Sequence, residues 1–168
     1  DVADAADVAV TAVYYHFAGK DDLYGAAIIK VLSMIDDVVL VARPDDAAID
    51  DTSLDRVIDA VWGWVDDNPE PATLMYLHSP NATRQVAARR RAFDQLHADR
   101  AFQYVTTENA ATADPRRRAG AVLALRALID MQVAIHPLRL PGGALSGHSP
   151  TALRAAVKTV SHRIVAAV

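Results

Sequence analysis

The chain has 168 residues, of which 52% are hydrophobic, and it carries 17 basic against 21 acidic residues for a net charge of −4. This composition predicts a globular protein with a sizeable core and excludes both a disordered chain and one coated in basic charge. The sequence contains no cysteine, which excludes disulfides and thiolate metal sites and agrees with the cytoplasmic location that we expect.

Residues 5–23, AADVAVTAVYYHFAGKDDL, predict the second half of a helix-turn-helix that continues into a long helix. Val13 and Phe17 are four residues apart and share one helical face, with Val8 just before the helix. The side chains left to project outward are those of Val10, Thr11, Ala12, Tyr15 and His16. The helix therefore has one face for packing and one for contact with DNA.

This segment resembles the DNA-binding head of the TetR family of repressors, whose pattern is matched in register by Ala6, Val8, Val13, Tyr14, Phe17, Lys20 and Leu23. Asp7 replaces the turn glycine of that pattern, and Ala9 replaces the serine that would cap the second helix. Aspartate tolerates the left-handed conformation, so the turn is expected to form. The missing cap should cost about 0.5–2 kcal/mol unless Asp7 supplies the oxygen. The resemblance also implies a helix before residue 1, without which this piece alone is not expected to bind DNA.

The rest of the chain has strong helical periodicity and almost no strand signal, which predicts an all-α fold. With the resemblance, this implies a partial helix-turn-helix DNA-binding domain over residues 1–24 and a helical ligand-binding and dimerisation domain over residues 25–168. The first long helix is predicted from Ala18 or Gly19 to about Ala42. Charged residues interrupt its apolar run, so it is interpreted as a core helix and not a membrane span.

Three further helices are predicted before residue 110. Ser53 is expected to cap the first of them, which ends at Asn68-Pro69. A short helix over residues 71–77 and a long one over about residues 81–108 follow.

The last two helices are predicted to form a homodimer interface. Asp114-Pro115 opens a helix reaching Ile135 that is apolar nearly all round, and Ser149-Pro150 caps a final helix with one apolar stripe. One core cannot bury every side of the first helix, so a four-helix bundle between two subunits is expected, as the resemblance also implies. The expected interface residues are Leu125, Ile129, Val133, Leu153, Val157, Val160 and Ile164.

The resemblance implies DNA contacts at Val10, Thr11, Ala12, Tyr14, Tyr15, His16 and Lys20. Tyrosine, histidine and lysine side chains can bind phosphates while the first turn of the helix enters the major groove. Because Val10 and Ala12 have no polar side-chain atoms, we expect base recognition to depend on thymine methyl groups.

A ligand pocket is implied among the helices between Ser53 and Ile135. Its expected lining is Trp62, Met75, Tyr76, His78, Phe93, Met131, Gln132 and His136, and an ordinary place in the core is the alternative for each aromatic residue and histidine. This lining favours a mainly apolar effector with one or two polar anchors. No cofactor and no metal are expected.

These features predict a homodimeric repressor that a small-molecule effector releases from a palindromic operator in double-stranded DNA. The alternatives are an all-helical small-molecule carrier or enzyme and a purely structural dimer. The sequence has no zinc-protease motif, phosphate-binding glycine loop or nucleophile motif, so an enzyme is not expected. The arginine triplets at residues 89–91 and 116–118 are interpreted as solvated helix faces, with phosphate binding as the alternative.

Overall fold

The computed structural model describes residues 2–43, 50–76, 87–88, 91–92, 95–96 and 113–168. All regular structure within these ranges is helical, which confirms the predicted all-α fold. The helices are α1 (Val2–Ala5), α2 (Val10–His16), α3 (Lys20–Ala42), α4 (Asp51–Asp67), α5 (Pro69–Tyr76), α6 (Pro115–Leu138) and α7 (Pro150–Val165). The helix predicted over residues 81–108 lies mostly outside the described residues, although its described pairs at 87–88, 91–92 and 95–96 are helical.

Helix α4 organises the body of the protein because it packs against α3, α5, α6 and α7. Its buried residues Ile58 and Trp62 contact Leu153 and Val157 of α7. A second cluster forms where alanines of α6 pack against the end of α7, around Ala121. The first cluster therefore joins α4, α6 and α7, and the second joins α6 to the end of α7.

The start of α4 differs from the prediction. Asp50 is the N-cap: its carboxylate accepts a hydrogen bond from the Ser53 backbone N–H at 2.6 Å, and the Ser53 hydroxyl accepts one from the Asp50 N–H at 3.1 Å. This reciprocal pair is a capping box, which satisfies two amides at once. The prediction that Ser53 itself caps the helix was therefore wrong, because Ser53 is the buried third helical residue.

The predicted caps of α6 and α7 are confirmed. The Asp114 carboxylate accepts from the Arg116 N–H at 2.8 Å, and the Ser149 hydroxyl accepts from the Ala152 N–H at 3.2 Å, each with proline at the first helical position. Helix α6 extends beyond the predicted end at Ile135 and continues through Pro137. Proline removes only one backbone donor, and this close to a helix end the loss is small.

The loop between α6 and α7 folds back onto the end of α6. The Leu145 N–H donates to the Leu138 carbonyl at 2.8 Å, and Gly143 lies so close to the same carbonyl that a Cβ atom would collide with it. Leu145 also packs against the apolar cluster between α4 and α7. The loop therefore covers one end of that cluster.

Ion pairs join α4 to α7 along one side. Lys158 Nζ lies 2.7 Å from Asp59 and 3.5 Å from Asp55, and the hydrogen bond to Asp59 raises the pKa of Lys158. One turn further along α7, His162 Nε2 lies 2.9 Å from Asp55 and Nδ1 lies 3.1 Å from Asp51. These contacts set the register of α7 against α4.

Two arginines of the 116–118 triplet bind the protein's own backbone. Arg117 donates to the Val168 carbonyl at 3.2 Å, and Arg118 donates to the Ala113 carbonyl at 3.1 Å. Both interactions tie chain segments to the start of α6, which supports a structural interpretation of this triplet. In the other triplet, Arg89 and Arg90 lie outside the described residues, and Arg91 is exposed.

Candidate DNA-binding head and effector site

The turn between α1 and α2 depends on Asp7. This residue has a φ of 52°, in the left-handed region, and it is the one non-glycine residue of the described chain with a positive φ. The Asp7 and Val8 N–H groups donate to the Asp4 and Ala3 carbonyls at 3.2 and 3.0 Å. Aspartate therefore adopts the conformation for which the family pattern uses glycine, as the sequence predicted.

The first turn of α2 has no side-chain cap. Ala9 occupies the N-cap position in an extended conformation, and no side chain accepts a hydrogen bond from the helix start. Asp7 therefore does not supply the capping oxygen for α2.

Helix α2 presents most of the predicted DNA-contacting residues to solvent. Tyr15 is 86% and Tyr14 69% exposed, and the Tyr15 ring meets His16 edge to face with 5.1 Å between ring centroids. The other predicted contacts that are exposed are Val10, Thr11, His16 and Lys20, whereas Ala12 is half-buried. On the opposite face Val13 and Phe17 are half-buried as expected, but Val8, in the turn before the helix, is exposed.

The start of α3 holds Lys20 three residues after Phe17. The Asp22 carboxylate accepts from the Ala18 N–H at 3.2 Å, and the Leu23 N–H donates to the Gly19 carbonyl at 3.1 Å. Lys20 is thus at the junction between the exposed helix and the body, since α3 packs against α4 and α5.

The second candidate site surrounds Trp62, which is fully buried on α4. The His136 ring lies 5.1 Å from it at 57°, and the guanidinium carbons of Arg139 and Arg154 lie 4.8 and 5.4 Å from the indole centroid. We call these four residues the Trp62 cluster. It brings together side chains from α4, from the end of α6 and from α7.

His136 is the strongly perturbed titratable group of the Trp62 cluster. The residue is 3% exposed, and its burial lowers the pKa to about 4 from an ordinary 6.5. The positive charge of Arg139 lowers this pKa further. The negative charge of Asp66, which forms an ion pair with Arg139, raises the pKa in part. At neutral pH the ring is therefore uncharged, with one nitrogen that donates and one that accepts.

Several buried polar atoms in this region have no hydrogen-bond partner among the described residues. They are Trp62 Nε1, Arg154 Nε and Gln132 Oε1, the last on α6 one turn before His136. Buried polar groups are normally paired, so such atoms call for an explanation, and a bound polar group is one.

The structure brings together part of the predicted ligand lining. Trp62 and His136 are in contact, Met131 packs against the same apolar cluster, and Gln132 precedes His136 by one turn. Met75 and Tyr76 lie on α5, but their side chains are outside the described part of the chain, as are His78 and Phe93. Arg139 and Arg154 were not predicted, because no local sequence pattern distinguishes them from the other arginines.

The predicted dimer residues divide into two groups. Leu153 and Val157 are buried against α4 within the subunit, and Ile164 packs on the second apolar cluster, so these three do not form an outer face. The α7 stripe covers α4 because α4 itself presents Ile58 and Trp62 to it. Leu125, Ile129 and Val133 are half-buried, whereas Val160 is exposed.

The outer face of α6 carries exposed apolar residues, with Leu123 69% exposed and Val122 beside it. In the described part of the chain, α6 is the one helix long and apolar enough to cross a membrane, and 22% of its most apolar window is buried. A single helix of this length and composition is weak evidence for a membrane span.

An exposed, aromatic-rich second helix joined by a left-handed turn to a short first helix has the arrangement of a helix-turn-helix. Residues 1–27 match the family model for bacterial regulatory proteins of the tetR family. This match assigns the amino-terminal segment to the DNA-binding head of the tetR family, and it supports a DNA-binding transcriptional regulator. No match was found among curated proteins.

Proposed function

We propose that this protein is a homodimeric repressor, released from a palindromic operator when a mainly apolar small molecule binds its helical body. The observation that carries the proposal is the Trp62 cluster, whose central residue Trp62 is fully buried on α4, the helix on which α3 packs. Helix α3 begins at Lys20, directly after the exposed helix of the family-matched segment.

The contact between α3 and α4 offers a route from effector to DNA. A ligand that repacks the side chains around Trp62 shifts α4, and α3 moves with it because the two helices are packed together. Lys20 and α2 are then displaced relative to the second subunit, which changes the fit to two operator half-sites. The effector must bind the DNA-free form more tightly, and a coupling of about 1–3 kcal/mol is typical of such systems.

We further propose that the second subunit covers the outer face of α6 around Val122 and Leu123, together with Val160 of α7. Changing Leu123 to aspartate should weaken dimerisation at least ten-fold, because a carboxylate would have to be desolvated in an apolar interface. Analytical ultracentrifugation over a concentration series measures this.

The control for the dimer experiment is Val41→Asp, since Val41 is even more exposed on α3. It should leave the association constant unchanged. If the Leu123 and Val41 variants have the same association constant as the wild type, α6 is not the interface.

Lys20 is expected to contact a phosphate of the DNA backbone. We expect Lys20→Ala to weaken operator binding by the full-length protein about ten-fold at low salt, and to reduce the slope of log affinity against log salt by about one, because one phosphate contact is lost. Thr11→Ala should weaken binding mainly at the specific site. Fluorescence anisotropy with DNA flanking the protein's own gene, at several defined salt concentrations, gives both quantities.

Lys30→Ala is the matched control, since Lys30 is exposed on the same helix. The Lys30→Ala variant should bind operator DNA with the same affinity and salt dependence as the wild type. If site-specific binding is absent, or if Lys20→Ala and Lys30→Ala have the same effect, the small-molecule carrier becomes the better interpretation of the Trp62 cluster.

A further inference from the structure

The charges around Trp62 leave one cation poorly compensated. Lys158 bonds Asp59 at 2.7 Å and also reaches Asp55, while Arg139 pairs with Asp66. Arg154 reaches Asp59 at 3.8 Å, a long ion pair, and this carboxylate is already bonded to Lys158. Of the basic groups that join α4 to α7, Arg154 is thus the one without a close counter-ion in the described residues.

The unpartnered nitrogens of the Trp62 cluster are donors. Trp62 Nε1 and Arg154 Nε can only donate hydrogen bonds, and both are buried without a partner in the described part of the chain. The Arg154 guanidinium lies 5.4 Å from the indole centroid, so the two groups are neighbours. A group that only accepts hydrogen bonds and carries negative charge complements both of them, and a carboxylate is such a group.

The surroundings select against a small hydrophilic anion. Ile58, Leu153 and Val157 pack around Trp62, and Met131 and Leu145 border the same cluster. The Arg154 side chain is 37% exposed, so an anion can approach it from solvent while an apolar body follows the apolar side chains.

We infer that Arg154 and the Trp62 indole N–H bind the carboxylate of an organic acid with an apolar body, and that this acid is the class of the effector. This inference rests on the ligand-responsive function proposed above. It adds the chemical identity of the polar anchor and makes Arg154 the residue that distinguishes an acid from a neutral ligand.

The test compares decanoate with decanol by isothermal titration calorimetry on the full-length protein. The two probes share their chain and differ in the head group. We expect decanoate to bind at least ten-fold more tightly than decanol. Arg154→Gln should reduce decanoate affinity about ten-fold while leaving decanol affinity unchanged. The decanoate affinity of Arg154→Lys should lie between those of Arg154→Gln and the wild type.

Arg163→Gln is the control, because Arg163 is an exposed arginine on the same helix. Equal affinity for the two probes, no binding of either probe, or equal effects of the Arg154 and Arg163 substitutions would overturn the inference. Equal affinity would still allow a neutral effector and so leave the repressor proposal standing. Conversely, a protein that binds decanoate through Arg154 but no operator DNA would contradict the repressor proposal and support the carboxylate site.

Discussion

Replacing Trp62 with alanine is expected to lower the free energy of unfolding by about 3–5 kcal/mol, the usual cost of deleting a large buried aromatic side chain. Trp62 is fully buried, and Ile58, Leu153 and Val157 pack around it. Its removal would leave a cavity at the junction of α4 and α7, since helices fixed by ion pairs and a capping box cannot close the space completely. Urea unfolding followed by circular dichroism measures the change.

Trp64→Ala provides the comparison, because Trp64 lies two residues further along α4 and is only half-buried. We expect Trp64→Ala to lower the free energy of unfolding clearly less than Trp62→Ala does. If the two variants lose the same free energy, Trp62 is not the centre of the core that the structure describes.

Acidification is expected to destabilise the wild-type protein through His136. The folded pKa of this histidine is about 4, whereas its ordinary value is 6.5, so between these pH values the unfolded state binds a proton that the folded state does not. The stability that depends on neutral His136 is therefore fully present above pH 6.5, and it is lost as the pH falls toward about 4. At about 1.4 kcal/mol per pKa unit, the loss reaches about 3 kcal/mol.

The experiment is a series of urea unfolding curves between pH 7 and pH 4 for the wild type, His136→Gln and His148→Gln. The His136 variant should show a pH dependence shallower by about 3 kcal/mol over this interval, because glutamine does not titrate. His148 is exposed in the loop before α7, so its variant should follow the wild type. Parallel curves for the wild type and His136→Gln would show that His136 is not held neutral by burial.

The two effects share a physical origin in the Trp62 cluster. The apolar packing that makes Trp62 costly to remove also excludes water from His136 and lowers its pKa. A hydrogen bond from the fully buried Trp62 indole to a ligand carboxylate would therefore form in a region of low dielectric, where such interactions are stronger than at an exposed surface.

The head of the protein could be interpreted from sequence because its features are local. A left-handed turn at Asp7, two half-buried residues four apart at Val13 and Phe17, and an exposed pair of tyrosines all depend on residues within a few positions of one another. The exposure of Val8 was not predicted, since the residue that covers a side chain can be remote in sequence.

The effector site was only partly predictable. Trp62 and His136 were candidates by residue type alone, and the structure places their rings 5.1 Å apart. Arg139 and Arg154 come from a loop and from a third helix, 77 and 92 positions after Trp62. No spacing rule connects such residues, so their convergence on one indole could not be read from the sequence.

By itself the sequence determined the all-α fold of the described residues, the caps at Asp114 and Ser149, the turn at Asp7 and the regulator family of the first residues, because each depends on hydrogen bonds or patterns within a few positions. Only the tertiary structure decided that the α7 stripe of Leu153 and Val157 faces α4 instead of a second subunit. An amphipathic helix specifies that one side will be buried, but its partner depends on the apolar surfaces of all the other helices at once.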